Sequence, residues 1–514
     1  MLEQCADKGV PFVTIFSSGF AEAGDKGKQM QEQIVQFARE NNMRICSPNC
    51  QGSVDLYHHV AAAFSAALDP VPFKKGSVGF ITQSGALGYS IFNLAQENRI
   101  GFSYITSTGN EVDLNCLDYM DFMLNDIHTK MIFTYLEGLN NGKQFIEIAD
   151  KALTKGKPIA VLKVGKSETG MRAAASHTAA LTGSDQVFDA FFKQKGIIRV
   201  DTIEEFIDVA KVIEGIQEIP RGNRLAVMKE QFAILNQANF PYFNSPARAV
   251  RTLSKVMKYG TLRHEQLANN QIEVKSIQPE QSNSDEALRI LSESTKGSLT
   301  GRQSKNLLSI FKINTSREAL AVSKEEAVAV AERVGYPLAM KIDSPDILHK
   351  MEAQVIKLNI HDKAEMVQAF EDIMKNAATY KPEAKLNGVL IQEMIPEGVE
   401  VIVGINHDPQ FGPVLMFGLG GIFVEILKDI SLRILPINRN DALSMIKEIR
   451  GYRLLTGARG RKMADIDALA DTLVKVSIMA VALGDQLEEL DINPLVVLPK
   501  GQGVKVADAL AIIK

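Results

Sequence analysis

The sequence is poor in cysteine, has no long apolar run and carries no excess of positive charge. Four cysteines in 514 residues (Cys5, Cys46, Cys50 and Cys116) leave no disulfide framework. The only close pair, Cys46-Ser-Pro-Asn-Cys50, has no neighbouring His or Cys to complete a zinc site, so free thiols in a reducing compartment are expected. No stretch approaches the ~18 apolar residues of a membrane span. The start, Met-Leu-Glu-Gln-Cys-Ala-Asp, is acidic where a secretory signal is basic. Lys and Arg total 57 against 61 Asp and Glu, a balance that argues against a nucleic-acid or anionic-membrane partner. Small anions remain eligible, because a phosphate grip needs a few backbone amides and not a basic protein. A cytoplasmic, multi-domain protein acting on small molecules is expected.

Through the first 215 residues, short β-branched runs alternate with helix-period segments. Val13–Phe16, Arg44–Cys46, Ser77–Thr82, Ser103–Thr106, Met131–Leu136, Pro158–Val164 and Ile197–Val200 read as strands, and 26–42 reads as a helix. Strand-then-helix repetition predicts a parallel sheet covered on both faces, with ligands at the carboxyl ends of its strands. Residues 261–286, rich in Gln, Asn, Ser and Glu, read as a surface linker. A second αβ pattern follows, with strands at Pro337–Ile342, Val389–Glu393, Glu400–Ile405 and Val414–Phe417.

The chemistry-bearing residues cluster just after these strands. Thr82-Gln-Ser-Gly-Ala-Leu-Gly88 is a strand end, a Ser84-Gly85 turn and a helix start, which offers free amides to an anion. His177 sits in Ala-Ala-Ser-His-Thr-Ala, after a strand and a polar loop holding Lys166, Ser167, Glu168 and Arg172. A neutral imidazole is a competent nucleophile toward phosphorus if a partner holds its other ring N–H. Glu137, ending the strand Met131–Leu136, is the candidate partner. Gly-Lys-Ser at 165–167 imitates the end of a P-loop, but Ala160 stands where its first glycine belongs. In the second half, Lys341 lies in a strand, Gln392-Glu393 ends another, Gly418-Leu-Gly-Gly421 is a glycine loop, and Glu488-Glu-Leu-Asp-Ile-Asn-Pro494 precedes a strand expected to contain Asp508. Asn493 and Asp508 are hard oxygen donors suited to magnesium on a nucleotide.

These runs resemble the ADP-forming acyl-CoA synthetases, relatives of succinyl-CoA synthetase. Ser17-Ser-Gly-Phe-Ala-Glu22, Ser47-Pro-Asn-Cys-Gln-Gly52, Ser107-Thr-Gly-Asn-Glu111, Leu136-Glu-Gly138 and Ala175-Ser-His-Thr-Ala-Ala-Leu-Thr-Gly-Ser-Asp185 carry the likeness in the first half. Ser344-Pro-Asp-Ile-Leu-His-Lys350, Asp408-Pro-Gln-Phe-Gly-Pro413 and Leu490-Asp-Ile-Asn-Pro494 carry it in the second. The resemblance implies an α/β, multi-domain fold: a partial Rossmann-like CoA-binding domain (1–65), a flavodoxin-like succinyl-CoA-synthetase domain (70–216), a remnant of a second flavodoxin-like domain (217–260) and a C-terminal ATP-grasp domain (287–514). It implies His177 as the phosphorylated residue, Glu137 as the carboxylate that orients it, and His349 as a second relay. Ser84 and Gly85 are expected to grip phosphate, and the resemblance implies that Lys341, Glu393 and Glu400 contact the nucleotide and that Asn493 and Asp508 hold magnesium. ATP or ADP, Mg²⁺, coenzyme A and a carboxylate or acyl-CoA are the implied ligands, in a homo-oligomer.

The sequence departs from the family pattern in three places. It begins just before a late strand of the CoA domain, between Gly222 and Phe243 most of a domain is absent, and Ala353-Gln-Val355 follows Glu352 where the family has glycines. An impaired remnant or a regulatory nucleotide-binding protein is therefore the competing expectation.

Overall fold

The computed structural model describes residues 1–69, 72–165, 184–216, 219, 243, 245–269, 281–293, 297–344, 346–347, 353–420, 429–460 and 462–514. His177 and His349, with Gly421 and Glu425 of the glycine-loop region, lie outside them. The chain divides into two compact units, residues 1–276 with 408–412 and residues 277–407 with 413–514. No described helix is long and apolar enough to cross a membrane.

The first unit opens with helix α1 (Leu2–Asp7), strand β1 (Phe12–Thr14), helix α2 (Asp25–Glu40) and strand β2 (Arg44–Cys46). β1 and β2 pair in parallel as a separate two-stranded sheet. β3 (Gly52–Asp55), β4 (Val60–Ala63), β5 (Lys75–Thr82), β6 (Phe102–Ser107), β7 (Met131–Leu136), β8 (Ile159–Lys163) and β9 (Ile198–Val200) form the main sheet in the order β4-β3-β6-β5-β7-β8-β9. The five strands from β6 to β9 are parallel, as the repetition predicts, and β3–β4 is an antiparallel hairpin on one edge. Residues 52–63, expected with the N-terminal domain, are thus edge strands of the main sheet.

Helices α3 (Gly85–Glu97), α4 (Cys116–Asn125), α5 (Gly142–Lys155), α6 (Asp185–Lys195) and α7 (Ile203–Gly215) alternate with these strands. β7 and β8 are buried along their whole length and β5 from Val78 onward, which explains their continuous apolar character. One face of the core is aromatic: the Phe133 and Phe206 rings stack at 3.5 Å, and Phe80 lies 4.9 Å from Phe133. α8 (Pro246–Asn269) lays Ala249, Thr252, Val256 and Tyr259 against this unit. Where composition suggests a linker over 261–286, the structure has helix over 261–269 and again from 281, in α9 (Gln281–Glu293). The helical stripe at 249, 252, 256 and 259 runs on to Leu262, and a polar average hides that spacing.

The second unit holds two sheets. β11 (Glu318–Ala321), β14 (Gly388–Glu393), β12 (Leu338–Asp343) and β13 (Ile356–Ile360) pair antiparallel in that order. The other sheet runs β10 (Gly297–Ser298), β20 (Ala509–Ile513), β18 (Leu487–Val497), β15 (Val399–Asp408), β16 (Gly412–Leu419) and β17 (Ile430–Ile434), with β19 (Val504–Val506) also on β18. The long apolar helix Ile466–Leu483 lies in the core of this sheet. Asp508 sits between β19 and β20 and not inside a strand, which corrects the sequence expectation.

Gly88 shows how tightly α3 meets β5. A Cβ placed there would fall 2.2 Å from the Thr82 side chain. Gly88→Ala should cost about 1–3 kcal/mol by overpacking, seen as an earlier urea transition of the first unit.

Candidate active site

The carboxyl edge of the main sheet gathers the first set of residues. Thr82 of β5 and Tyr135 of β7 are partners in register, so Ser84 and Glu137 both lie two residues beyond that pair on adjacent strands. Ser84 caps α3 with extended backbone, its side chain makes no capping bond, and no acidic residue follows in the first turn. The leading amides of α3 are left for an anion, with the positive end of the helix dipole behind them. Ser84 and Gly85 are half-buried. Gln51 packs so closely on Gly85 that an added Cβ would meet it at 2.8 Å.

Glu137 is 6% exposed. Its N–H donates to Gln83 Oε1 at 2.6 Å, and its carbonyl accepts from Lys163 Nζ at 3.0 Å. Lys163, itself 3% exposed, ends β8 and lies 5.0 Å from the centre of the Phe188 ring. Burial pushes its amine down to about 8, against a smaller upward pull from Asp185. Glu111 is also shifted: burial raises its carboxyl although Thr108, Gln83 and Cys116 donate to it.

A second set forms in the other unit. Lys341 points away from the Leu338-Met340-Ile342 face of β12 and pairs with Asp508 at 3.1 Å. Asn493 donates its N–H to the Asp508 carbonyl at 3.1 Å. Glu489, Asp491 and Asn493 alternate on the outward face of β18, whereas Leu490 and Ile492 face the core. Burial raises the Asp491 carboxyl, Glu489 and Asp508 add to this, and an Asn493 hydrogen bond opposes it. Among the described residues no group of three or more His, Cys, Asp and Glu is arranged to hold a metal. The carboxamide and carboxylates here are hard donors that fit a magnesium ion completed by phosphate oxygens and water, not a protein cage.

Glu393 accepts from the Arg317 N–H at 2.7 Å, from Arg317 Nε at 2.9 Å and from Lys505 Nζ at 2.8 Å. Burial alone would raise its carboxyl; Lys505 and Arg317 reverse that and hold it low. Its carboxylate is therefore committed to the protein. Gln392 donates to Ser316 Oγ and the Ala507 carbonyl. Glu400 stands exposed on β15, its carbonyl accepting the Gly420 N–H at 3.0 Å. It makes no hydrogen bond or ion pair to the other candidates among the described residues.

Sequence reasoning missed Gln83, Lys163, Asp491, Lys305 and Lys505. Asp491 was within reach, since Glu489-x-Asp491-x-Asn493 is a strand alternation in plain sight. Lys305, 3% exposed and bonded to Ser316 Oγ and Glu318, reads in sequence as one more helical lysine.

The Lys163 shift has a measurable consequence. Its folded value lies below the unfolded one, so between about pH 8 and about 10.5 the unfolded chain binds the extra proton and stability rises with pH. Urea unfolding should show the first unit gaining up to about 3 kcal/mol across that window relative to Lys163→Met, which lacks the titrating group.

Residues 75–213 match the succinyl-CoA ligase like flavodoxin domain, and residues 290–513 match the ATP-grasp domain. The acetate–CoA ligase (ADP-forming) I of Archaeoglobus fulgidus is 30% identical over 607 residues, covering 98% of this chain and 87% of that protein. That alignment exceeds the chain's 514 residues, so the relative carries internal segments without counterparts here. The 4-hydroxybutyrate–CoA ligase (ADP-forming) of Nitrosopumilus maritimus is likewise 30% identical, over 99% of this chain and 88% of that protein. The β subunit of the Pyrococcus furiosus acetate–CoA ligase (ADP-forming) II is 47% identical over 45% of this chain and 98% of its own. A mixed α/β fold with a flavodoxin-like and an ATP-grasp domain, and near full-length likeness to these ligases, lead to one conclusion: the chain belongs to the ADP-forming acyl-CoA synthetases.

Proposed function

We propose that this chain interconverts acyl-CoA, ADP and phosphate with a carboxylate, CoA and ATP, passing the phosphoryl group over His177. The observation that carries the proposal is the pairing, in one chain, of a buried carboxylate beside an uncapped helix N-terminus with a Lys-Asp-Asn nucleotide-type cluster. In the synthetic direction of ATP, a phosphate oxygen attacks the thioester carbonyl and CoA leaves as its thiol. The acyl phosphate then loses its phosphoryl group to an imidazole nitrogen of His177, which releases the carboxylate. ADP takes the phosphoryl group from the histidine.

Within this scheme the first amides of α3, from Gly85 on, hold phosphoryl oxygens at the positive end of a helix, while the Ser84 N–H donates to Thr82 Oγ1 at 3.2 Å and fixes the turn that presents them. Glu137 accepts the other ring N–H of His177, fixes the tautomer and stabilises the cation formed on attack. Lys341 meets the nucleotide phosphates, and Asn493 and Asp508 hold the magnesium ion. When bound, magnesium neutralises phosphate charge and orients the oxygens. With Glu393 committed to Arg317 and Lys505, that strand end serves the nucleotide through its main chain rather than its carboxylate. His349 would extend the relay. The acyl group would be a small carboxylate of the kind that names the relatives.

A second reading, phosphoryl carriage and nucleotide binding without thioester chemistry, is favoured by one observation. The relative from Archaeoglobus fulgidus aligns over 607 positions against the 514 residues here, so internal segments present in that ligase have no counterpart in this chain.

Incubation with γ-labelled ATP and magnesium separates the readings. The proposal expects acid-labile, alkali-stable label that His177→Asn abolishes, together with CoA- and carboxylate-dependent ADP release. Label without that release would support the second reading; no label on the native protein rejects both. Lys341→Met should weaken binding of magnesium–ADP about tenfold, ~1.4 kcal/mol, by titration calorimetry.

A further inference from the structure

The ladder between β5 and β7 ends at Thr82 and Tyr135, followed by the Gln83 N–H donating to the Tyr135 carbonyl at 3.3 Å. Past that point a turn would normally give its main-chain groups to water or to another partner. Here side chains from both flanking strands take them. From the β5 side, Gln83 Oε1 accepts the N–H of Glu137 at 2.6 Å and that of Gly138 at 3.1 Å, and Gln83 Nε2 donates to the Gly138 carbonyl at 2.9 Å. From the β8 side, Lys163 Nζ donates to the Glu137 carbonyl at 3.0 Å and to the Val164 carbonyl at 2.5 Å. The peptide before the Glu137 Cα is therefore gripped by Gln83, and the peptide after it from both sides, its N–H by Gln83 and its carbonyl by Lys163.

The grip is built, not incidental. Gln83 and Lys163 are 6% and 3% exposed, so neither can trade these bonds for water. Gln83 Nε2 also reaches Cys116 Sγ at 4.0 Å, and Cys116 is held in turn by Glu111, which accepts its N–H at 2.9 Å and Thr108 Oγ1 at 2.7 Å. A primary amide suits position 83 because it accepts twice and donates once; an apolar side chain would leave three buried main-chain groups without their bonds. Lysine suits position 163 because an ammonium only donates and meets two carbonyls.

We propose that Gln83 and Lys163 are positioning residues for phosphoryl transfer: they fix the main chain of Glu137 and thereby the direction of its carboxylate. This rests on the reading of Glu137 as the carboxylate that orients His177. A carboxylate that must hold an imidazole in line tolerates little drift, since misplacement of about 1 Å costs on the order of a hundredfold in rate.

Single-turnover labelling of the full chain with γ-labelled ATP and magnesium provides the test, beside nucleotide affinity and thermal unfolding. Gln83→Leu should slow labelling roughly ten- to a hundredfold while leaving nucleotide affinity unchanged. Lys163→Arg, which still donates to carbonyls, should recover part of what Lys163→Met loses. A merely structural role predicts instead that the variants lose rate in proportion to lost stability and that Lys163→Arg labels no faster than Lys163→Met. That result, or a native labelling rate in Gln83→Leu, overturns the inference. If Gln83→Leu does not fold, the two Lys163 variants decide the matter on the same criteria. Glu137→Gln separates this claim from its foundation. Native labelling in Glu137→Gln removes the reading of Glu137 and this inference with it, whereas slow Glu137→Gln beside native Gln83→Leu and Lys163→Met overturns the inference alone.

Discussion

A parallel sheet has to abandon its own hydrogen-bond ladder at the carboxyl edge, and the first unit of this protein is organised around what replaces it. Beyond Thr82 and Tyr135 each strand turns toward a helix, and each turn exposes main-chain donors and acceptors that need partners. Some meet no side-chain cap, as at the start of α3. Others are satisfied by buried side chains, as around Glu137. The division has a physical meaning: open amides at a helix start are eligible for anions, and amides tied down by buried side chains are not. Close glycine packing serves the same edge. Gly88 lets α3 descend onto Thr82, and Gly109, at φ +52°, lets the 107–111 turn approach the Pro48 carbonyl.

The nucleotide-type cluster obeys a different constraint, the cost of burying charge. Lys341 with Asp508, Lys305 with Glu318, and Glu393 with Lys505 and Arg317 are all paired. Two of these pairs are closed, because their members have no reason to open: Lys305–Glu318 is nearly fully buried, and Glu393 has three donors. Lys341–Asp508 differs, with Asp508 40% exposed. A phosphate offers the lysine a new counter-charge and a magnesium ion offers the aspartate one. Nucleotide binding would then exchange one ion pair for two of the same sign pattern, without stranding a buried charge.

The sequence made the strands legible because most of their residues are buried. Met131–Leu136 and Arg44–Cys46 fall where the pattern puts them, and most other strands agree within a few residues. Motif-bearing turns were legible too, since glycine and serine after a strand have few other uses. Three things were not. The β3–β4 hairpin has its polar Tyr57-His-His59 tip between strands of four residues, too short for a period to register. α8 runs into a stretch whose average composition is polar while its buried stripe is not. Gln83 and Lys163 act on main-chain atoms of another strand, and that depends on register, which a single sequence does not display. His177, the most specific signal of all, rests on sequence and family alone.

The N-terminal segment shows how far the two half-reactions can be separated. Two parallel strands are marginal by themselves, and β1–β2 is fastened to the turn after β6. Arg44 and the Ile45 N–H both bind Asp113, Asn110 donates to Glu22, and Cys46 bridges to Leu114. Phe12, Phe16 and Phe64 remain 66%, 40% and 53% exposed around it. Phosphoryl transfer to a histidine asks for an anion grip, an orienting carboxylate and a nucleotide, and none of these draws on β1 or β2. Thioester chemistry asks in addition for a crevice that holds CoA. The groups that hold Glu137 come from β5 and β8, on either side of β7 inside the main sheet, so their geometry does not depend on how that crevice is built.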